Sequence, residues 1–516
     1  MILLKNSIKK DTIFLTCVQF VTQIISLILN IYINKNLGTE NLGLMSLINA
    51  FFTFAIIISN GNIFVSSSRF ISEEIGKKDG NPGKIFAYSV LFSVILSTVS
   101  AFAVTLLSVP VSKSIIKDCN AEGAIKILAV SLPVAALSSC IKGYFNAYRK
   151  VTVPALSETL SFLVRSVIMG ISAAFLIRKN FLSIYTALSL SVICSEVAGI
   201  IVLIIYLIKN NPSNTGKPTV SFAKFSAGLV PVMLNSYIPC ILSTANDALV
   251  PFTLKQAGSS TADALSKYGL FEAVVLPVLF FPSMFISCLS TILVPEISRE
   301  KAGGNRIRNL KLTEKVIDAT VIYSVYIVSI LAVYGKTIGS LICGNEYAGK
   351  MIMLLAPVVP FIYLEIVLEG IIKGLGRHSF SSLNYLAEYI IRISALLVFT
   401  PLTGEYGIAV SYYLSNIICN ISRIIMISRE YGISFDMSRY IVPPAFAAVL
   451  SWQTAVMLRK LTHFDALGKI PETAVYAMAV LILYVFFLSV MNSSCRKKVT
   501  PRPSPSSVQA ASSYGQ

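Results

Sequence analysis

The sequence predicts an all-α membrane protein with about 14 transmembrane helices, and three observations support this prediction. Of its 516 residues, 55% are hydrophobic. Only 13% are charged, whereas a soluble globular protein carries about 25% Asp, Glu, Lys and Arg. Fourteen apolar runs are separated by polar segments, and each has roughly the 20 residues that a helix needs to cross a bilayer. The composition also argues against disorder over most of the chain.

The runs form two sets of six, followed by a final pair. The first six are Thr12–Ile33, Leu42–Ser72, Lys84–Leu107, Ile125–Tyr148, Pro154–Ile177 and Ile184–Ile208. The next six are Phe225–Leu249, Leu270–Pro295, Val316–Tyr334, Met351–Ile372, Leu383–Phe399 and Tyr406–Ser428. The final pair is Tyr440–Leu458 and Pro471–Met491.

This order predicts four regions along the chain. Residues 1–215 would hold the six spans of an N-terminal lobe, and residues 216–435 the six spans of a C-terminal lobe. Residues 436–491 would form a C-terminal helix pair. Residues 492–516 are rich in Ser and Pro, so we expect a disordered cytoplasmic tail. The start, Met1–Lys10, is too short and too basic to open a cleaved signal peptide, so the first span is expected to be retained.

Lysine and arginine in the loops predict the orientation. With fourteen spans, 25 of the 43 Lys and Arg residues lie in the loops and termini on one side of the membrane, and 13 lie in the loops on the other side. The richer side contains both termini and is therefore assigned to the cytoplasm. The net charge of +18 is thus mainly a signal of topology, and we predict no nucleic-acid partner.

The chain also resembles itself at a shift of about 227 residues. At this shift Gly143 meets Gly370 and Arg165 meets Arg392. The identities are few, but both copies lie at matching places in a unit of six spans with the same orientation. Two parallel six-helix lobes with a C-terminal helix pair follow, and transporters built from parallel repeats bind their substrate between the repeats near the bilayer midplane.

Polar side chains follow one face of the first span. At 100° per residue, Gln19, Gln23, Ser26, Asn30 and Asn34 fall in one sector. Such a stripe cannot face lipid without a cost of several kcal/mol for each unsatisfied amide. It either hydrogen-bonds to packed neighbouring helices or lines a cavity that contains water, and its length favours the cavity.

Two further spans carry similar stripes. In the second span Asn49, Thr53 and Asn60 lie close together on the helical wheel, although Gly61 can break that helix. The seventh span is the counterpart of the first under the repeat, which predicts a polar cleft shared by both lobes. Its stripe comprises Asn235, Ser236, Ser243, Asn246 and Asp247.

Charged side chains within spans are rare and therefore point to function. Glu388 and Arg392 are four residues apart and can form an intrahelical ion pair. Arg69 and Arg165 are candidates for binding an anionic ligand, although Arg69 can instead pair with Glu73 or extend to the membrane surface. The other charges assigned to spans are Lys142, Glu158, Glu196, Asp247, Glu272, Glu365, Glu369 and Arg423.

The nine cysteines and two histidines predict neither a disulfide framework nor a metal site. Most of the cysteines lie inside apolar runs at no metal-ligand spacing, so we expect small buried hydrophobic side chains. His378 and His463 are far apart in the chain. We therefore expect no cofactor, and we also predict that the chain is not an enzyme.

Several segments resemble the stage V sporulation protein B branch of the multidrug, oligosaccharide-lipid and polysaccharide exporter superfamily. Leu276–Ser298 is similar to the eighth span of that branch, and Gly61–Glu74, with Arg69, to its second span. Gly143–Ala147 and Pro154–Leu160, followed by Arg165, are similar to the region around spans four and five. The resemblance covers nearly the whole membrane region. It implies a V-shaped pair of six-helix lobes and a C-terminal helix pair that work by alternating access.

The resemblance implies a flippase that moves an undecaprenyl-pyrophosphate-linked sugar or peptidoglycan precursor between leaflets. It would serve cortex, cell-wall or polysaccharide synthesis in the plasma membrane of a spore-forming Gram-positive bacterium. The implied partners are the lipid-linked saccharide and membrane lipids, with a coupling ion or the membrane potential as driving force. The family often has arginine in the first span, where this sequence has Gln23 and Asn30. Amides donate hydrogen bonds to a pyrophosphate but supply no charge, which leaves the substrate open.

Three other functions remain as alternatives. A cation-coupled multidrug exporter of the same superfamily would need acidic residues in the cavity, for which Asp247, Glu196 and Glu272 are available. A membrane glycosyltransferase or polymerase would need a catalytic loop, whereas the predicted outer loops are short. A scaffold for sporulation or wall proteins would tolerate substitutions in the cavity.

The charge distribution yields a testable topology. A tag at Gln516 and one near Lys78 should both be cytoplasmic, and one at Lys117 external, because the loops with more Lys and Arg remain inside. Labelling of Lys117→Cys with a membrane-impermeant thiol reagent in intact cells checks this. Protection in intact cells, together with reaction after permeabilisation, would contradict the prediction.

Overall fold

The computed structural model describes residues 18–75 except 19, 27 and 34, then 80–113, 121–150, 152–176, 184–209, 220–302, 306–431, 437–461, 475 and 478–489. Within this part of the chain the fold is all-α, and eleven helices are long and apolar enough to cross a membrane. The predicted fold class, a polytopic all-α membrane protein, is confirmed. The count of fourteen spans stays a prediction.

The first lobe contains α1 to α7. Helix α1 covers the described positions of residues 18–37. The others are α2 (Thr39–Asn60), α3 (Ile63–Ile75), α4 (Pro82–Val111), α5 (Ala121–Ala147), α6 (Thr152–Ile171) and α7 (Ile184–Lys209).

The second lobe contains α8 to α16. They are α8 (Phe222–Gln256), α9 (Thr261–Leu270), α10 (Leu276–Phe280), α11 (Met284–Ala302), α12 (Arg306–Cys343), α13 (Glu346–Leu355), α14 (Val359–Gly374), α15 (His378–Thr403) and α16 (Glu405–Tyr431). Helix α17 (Met437–Leu461) and α18, residues 478–489, follow. The boundaries proposed for the four chain regions stay predictions.

Two predicted spans are interrupted helices. Gly61 has φ 53°, a left-handed conformation that glycine adopts without a steric cost, and it ends α2 as the sequence suggested. The eighth span is less regular, because a π-helical turn (Phe271–Val275) separates α9 from α10. A 3₁₀ turn (Phe281–Ser283) then separates α10 from α11. Breaks of this kind re-aim side chains and are common at functional sites.

Side-chain caps explain where several helices begin. Asn81 accepts a hydrogen bond from the Lys84 backbone N–H at 2.8 Å and precedes Pro82 at the start of α4. Ser260 accepts from the Asp263 N–H at 3.1 Å. Each cap accepts a hydrogen bond from a backbone N–H group of the first helical turn, which has no carbonyl partner within the helix. Because α9 begins directly after the Ser260 cap, the eighth span starts at Thr261, nine residues before the predicted Leu270.

The ninth span is also longer than predicted. The sequence suggested Val316–Tyr334, whereas α12 runs from Arg306 to Cys343. Its polar start packs against protein, because the Asn309 amide donates to the Ile297 carbonyl at 3.3 Å and Thr313 hydrogen-bonds to Tyr431 at 3.1 Å. Contacts of this kind extend a helix beyond its apolar stretch.

Helices pack in the same order in the two lobes. In the first lobe α5 contacts α3, α4 and α7, and α6 contacts α7. In the second lobe α14 contacts α11, α12 and α16, and α15 contacts α16. These are equivalent pairs under the internal repeat. The C-terminal helices lie against α12, where the Tyr484 hydroxyl donates to the Ile322 carbonyl at 2.9 Å.

The lobes meet along two surfaces. At one end α2 crosses α9, where the Ser266 hydroxyl donates to Thr39 and Gly43 faces Gly269. At the other end α8 packs on α3 and α4. There the rings of Phe70 and Phe225 lie 5.1 Å apart. Between these surfaces the lobes enclose the candidate site.

The α2–α9 crossing depends on glycine. A Cβ at Gly43 would lie 2.0 Å from the Leu265 carbonyl oxygen, so the backbones must separate to admit even a methyl group. We expect Gly43→Ala to lower the free energy of unfolding by about 1–3 kcal/mol. Thermal denaturation of the detergent-purified protein measures this. Gly123→Ala is the control, since its Cβ would meet nothing within 4 Å. Equal stability of both variants would contradict the close crossing.

Candidate functional site

A cavity of about 680 Å³ lies between the two lobes. Its walls come from α1, α2, α6 and α7 of the first lobe and from α8, the π-helical turn and α15 of the second. The sequence predicted a polar cleft shared by both lobes, and this cavity has that composition. Its polar lining consists of Ser26, Asn30, Ser46, Asn49, Thr53, Arg165, Ser166, Ser236, Ser243, Thr244, Asp247, Glu272 and Tyr389.

Arg165 supplies positive charge on the wall of the first lobe. Its Nη2 donates to the Oδ1 of Asn49 at 2.7 Å, across the α2–α6 contact. Among the described residues, no carboxylate oxygen lies within 4.0 Å of this guanidinium. A neutral amide therefore positions Arg165, and Glu196 of α7 interacts with its guanidinium electrostatically at longer range. Its other N–H groups remain suited to an anion, because a guanidinium binds phosphate through two parallel hydrogen bonds.

Asp247 and Glu272 place two carboxyl groups on the wall of the second lobe. Asp247 lies on α8 and Glu272 on the π-helical turn. Asn246, which the sequence also suggested, is buried behind the wall and donates to Asp247 at 3.4 Å. The cavity thus has a basic group on one wall and two acidic groups on the other, a property that the linear sequence does not show.

The polar residues that form the stripe of the first span lie in different environments. Asn30 lines the cavity, and its amide donates to the Ala273 carbonyl of the π-helical turn at 3.1 Å. Gln23 is exposed and does not line the cavity. Gln19 lies outside the described residues. The stripe therefore contributes to an interlobe hydrogen bond as well as to a polar wall.

Other predicted site residues lie away from the cavity. Arg69 does not line it: its side chain is 64% exposed and pairs with Glu73 at 2.9 Å, the alternative that its i,i+4 spacing allowed. Asn60 donates to the Ser139 hydroxyl at 3.0 Å and joins α2 to α5. Asn235 lies on α8, and its side chain is outside the described part. Arg165, not Arg69, is therefore the arginine that the fold brings into the cavity.

A buried network of charged side chains lies on α14, α15 and α16, next to the cavity residue Tyr389. Arg392 donates to Glu388 at 2.7 Å, the i,i+4 pair that the sequence suggested. Arg423, with no exposed surface, contacts Glu388 at 3.0 Å, Glu369 at 3.0 Å and Glu365 at 3.3 Å. The sequence showed these charges but not their convergence. The i,i+4 spacing of Glu365 and Glu369, matching that of Glu388 and Arg392, was the available signal.

The described residues contain no group of three or more His, Cys, Asp or Glu side chains that could hold a metal ion. The described cysteines form no disulfide, and Cys140, Cys240 and Cys419 are buried.

Cysteine labelling tests the cavity. In a background without native cysteines, Ser46→Cys and Ser243→Cys should react with small polar thiol reagents, because both positions line the cavity. Ser97→Cys on α4 is the control and should stay protected, since Ser97 has no exposed surface. Mass spectrometry of the labelled protein measures the reaction. Equal protection at all three positions would mean that the polar faces are dry packing surfaces.

Two known proteins are similar in sequence to most of this chain. Stage V sporulation protein B of Bacillus subtilis (strain 168) is 20% identical over 468 residues, covering 86% of this chain and 88% of that protein. Lipid II flippase MurJ of the same organism is 22% identical over 470 residues, covering 84% and 85%. These two proteins are homologues of the chain.

Solved structures share the fold. Lipid II flippase MurJ in an inward closed conformation superposes with a TM-score of 0.67 and 13% identity, over 94% of this chain and 99% of that structure. An inward-facing MATE multidrug resistance transporter superposes with a TM-score of 0.62 and 14% identity, over 80% and 94%. Residues 8–301, more than half of the chain, match the family described as polysaccharide biosynthesis protein. The chain belongs to the polysaccharide biosynthesis protein family.

Proposed function

We propose that this protein is a flippase that moves a lipid-linked saccharide from the inner to the outer leaflet by alternating access. The observation that carries the proposal is Arg165, whose guanidinium lies in a polar cavity between two lobes and forms no ion pair within 4.0 Å among the described residues. A pyrophosphate headgroup needs positive charge within the bilayer, and Arg165 supplies it. The saccharide would occupy the hydroxyl- and amide-lined space, while the prenyl chain stays in lipid.

The proposed orientation gives each interlobe surface a role. With both termini in the cytoplasm, the α2–α9 crossing lies toward the outer leaflet and the α8 contacts with α3 and α4 toward the inner leaflet. Alternating access would break one surface while the other holds. The homologues support a transporter rather than an enzyme, since one of them is named a lipid II flippase. We place the protein in the plasma membrane of a spore-forming Gram-positive bacterium, as its relation to stage V sporulation protein B suggests.

The second candidate function is cation-coupled multidrug export. Asp247 and Glu272 favour it, because two carboxylates in the cavity can attract a cationic drug or a coupling ion. The likeness to a MATE transporter shows a shared fold. Deletion of the gene separates the two: accumulation of a lipid-linked saccharide supports the flippase, and altered sensitivity to cationic drugs alone supports the exporter.

Substitution of Arg165 tests the phosphate role. Arg165→Ala should reduce transport about tenfold or more, because charged hydrogen bonds contribute about 1.5–3 kcal/mol each. Arg165→Lys should retain part of the activity, since lysine keeps the charge but loses the planar fork. The measurement is precursor accumulation in a deletion strain that expresses each variant.

Arg429→Ala is the matched control, because Arg429 is exposed on α16 away from the cavity. Membrane abundance of every variant is measured alongside. Full complementation by normally expressed Arg165→Ala would exclude Arg165 as the phosphate-binding residue.

A further inference from the structure

The internal repeat places charged side chains at equivalent positions of the two lobes, but with exchanged signs. At the shift of 227 residues, Lys142 of α5 meets Glu369 of α14. At the same shift, Glu196 of α7 meets Arg423 of α16. Equivalent helices therefore carry opposite charges in both lobes, although the base and the acid have changed places.

The network of the second lobe is closed. Glu369 contacts Arg423 at 3.0 Å. Glu388 contacts Arg423 at 3.0 Å and Arg392 at 2.7 Å. These four side chains are at most 12% exposed. Each charge has an opposite charge in direct contact, which suits a fixed structural role.

The network of the first lobe is open. The glutamate that bridges two arginines in the second lobe is replaced here by Ser161, one turn before Arg165 on α6. Lys142 pairs with Glu158 at 3.2 Å rather than with Glu196. Among the described residues, no Lys or Arg nitrogen lies within 4.0 Å of the Glu196 carboxylate.

Glu196 lies between two cations. Helices α6 and α7 pack closely, because the Ser157 hydroxyl donates to the Gly199 carbonyl at 2.9 Å. Consecutive spans run antiparallel, so Glu196, one turn before Gly199, faces the part of α6 that carries Arg165. The half-buried Glu196 interacts electrostatically with both Lys142 and Arg165. A carboxylate in this position can pair with either cation.

Lys142 can change its partner at little cost. Glu158 is 67% exposed, and an ion pair with an exposed member contributes little to stability because water competes for the charge. Ser138 lies one turn before Lys142, and its buried hydroxyl has no hydrogen-bond partner in the described part of the chain. An unused polar group is therefore available one turn from the lysine.

We propose that Glu196 is a positioning residue that exchanges between Arg165 and Lys142 during transport. In the empty cavity, the carboxylate of Glu196 attracts the Arg165 guanidinium. When a pyrophosphate binds to Arg165, Glu196 pairs with Lys142, as Glu369 pairs with Arg423 in the second lobe. This inference rests on the proposed function and adds a residue to it. The exchange keeps each charge compensated within the bilayer, and the return of Glu196 releases the headgroup.

Two substitutions with opposite effects test the exchange on the full-length purified protein, with inorganic pyrophosphate as the probe. Glu196→Gln should bind pyrophosphate about tenfold more tightly than the wild type, because no carboxylate then competes for Arg165. Lys142→Met should bind it about tenfold more weakly, because Glu196 then stays with Arg165. Isothermal titration calorimetry measures the affinities, and binding that Arg165→Ala removes defines the cavity site. Each single variant is a test by itself, so misfolding of one leaves the other.

The ion pair of Glu122 and Lys126 on α5 supplies matched controls. These side chains lie 2.6 Å apart, outside the cavity. Glu122→Gln and Lys126→Met make the same chemical changes in the same lobe and should leave the affinity for pyrophosphate unchanged.

An exchanged double variant separates a mobile carboxylate from a fixed ion pair. Lys142→Glu combined with Glu196→Lys keeps opposite charges on α5 and α7 but places a second cation beside Arg165. We expect this variant to bind pyrophosphate at least as tightly as Glu196→Gln. We also expect it to accumulate precursor in the deletion strain, because the headgroup is not released.

Three results would overturn the inference. Wild-type affinity and transport in the exchanged variant would show that Lys142 and Glu196 form only a structural pair. Unchanged affinity in both single variants, with binding still lost in Arg165→Ala, would remove the role of Glu196 and leave the flippase proposal intact. Equal binding by the wild type and Arg165→Ala would reject the phosphate role of Arg165, and the proposed function would fail together with the inference.

Discussion

The ion-pair network around the fully buried Arg423 guanidinium holds helices of the second lobe together. The guanidinium contacts three carboxylates from two neighbouring helices: Glu365 and Glu369 of α14, and Glu388 of α15. Removing one partner of a buried ion pair typically costs about 3–5 kcal/mol, because it leaves an uncompensated charge. Arg423 therefore fixes α14, α15 and α16 relative to each other. The same network orients Arg392, whose guanidinium lies 5.4 Å from the ring of the cavity residue Tyr389.

The contacts between the lobes are of a different kind. They are apolar packing, neutral hydrogen bonds and close glycine approaches, such as Phe70 on Phe225, Asn30 to the Ala273 carbonyl, Asn62 to Ser236 at 2.6 Å and the Gly43–Gly269 crossing. A neutral hydrogen bond contributes only about 1 kcal/mol net to stability. Breaking one such bond and forming another therefore changes the free energy of the protein little. The ionic network of Arg423 therefore lies within one lobe, whereas the described hydrogen bonds between the lobes are neutral.

The cavity stands out because its ionisable side chains form no ion pairs within the part of the chain that the structure describes. Elsewhere in the described membrane region, serine hydroxyls return their hydrogen bonds to their own helices, as Ser189 does to the Tyr185 carbonyl at 2.8 Å. At the cavity, a neutral amide holds Arg165, and no Lys or Arg nitrogen of the described residues lies within 4.0 Å of Asp247 or Glu272. Protein folding alone gives no reason to keep these charges in a bilayer. A ligand with complementary charge does, which is why the functional proposals depend on these three residues.

The sequence by itself determined the fold class, most of the spans, the break at Gly61 and the existence of polar faces on the spans that line the cavity. Those features follow from local rules: apolar length, helical periodicity and glycine conformation. Selecting Arg165 over Arg69 required the tertiary structure, because both have the same chemistry and only packing decides which faces the cavity. The convergence of Arg423 on three glutamates and the basic and acidic groups on the two cavity walls were likewise decided by helix packing. Residues more than 50 positions apart meet there, and no periodicity within a single helix records such a meeting.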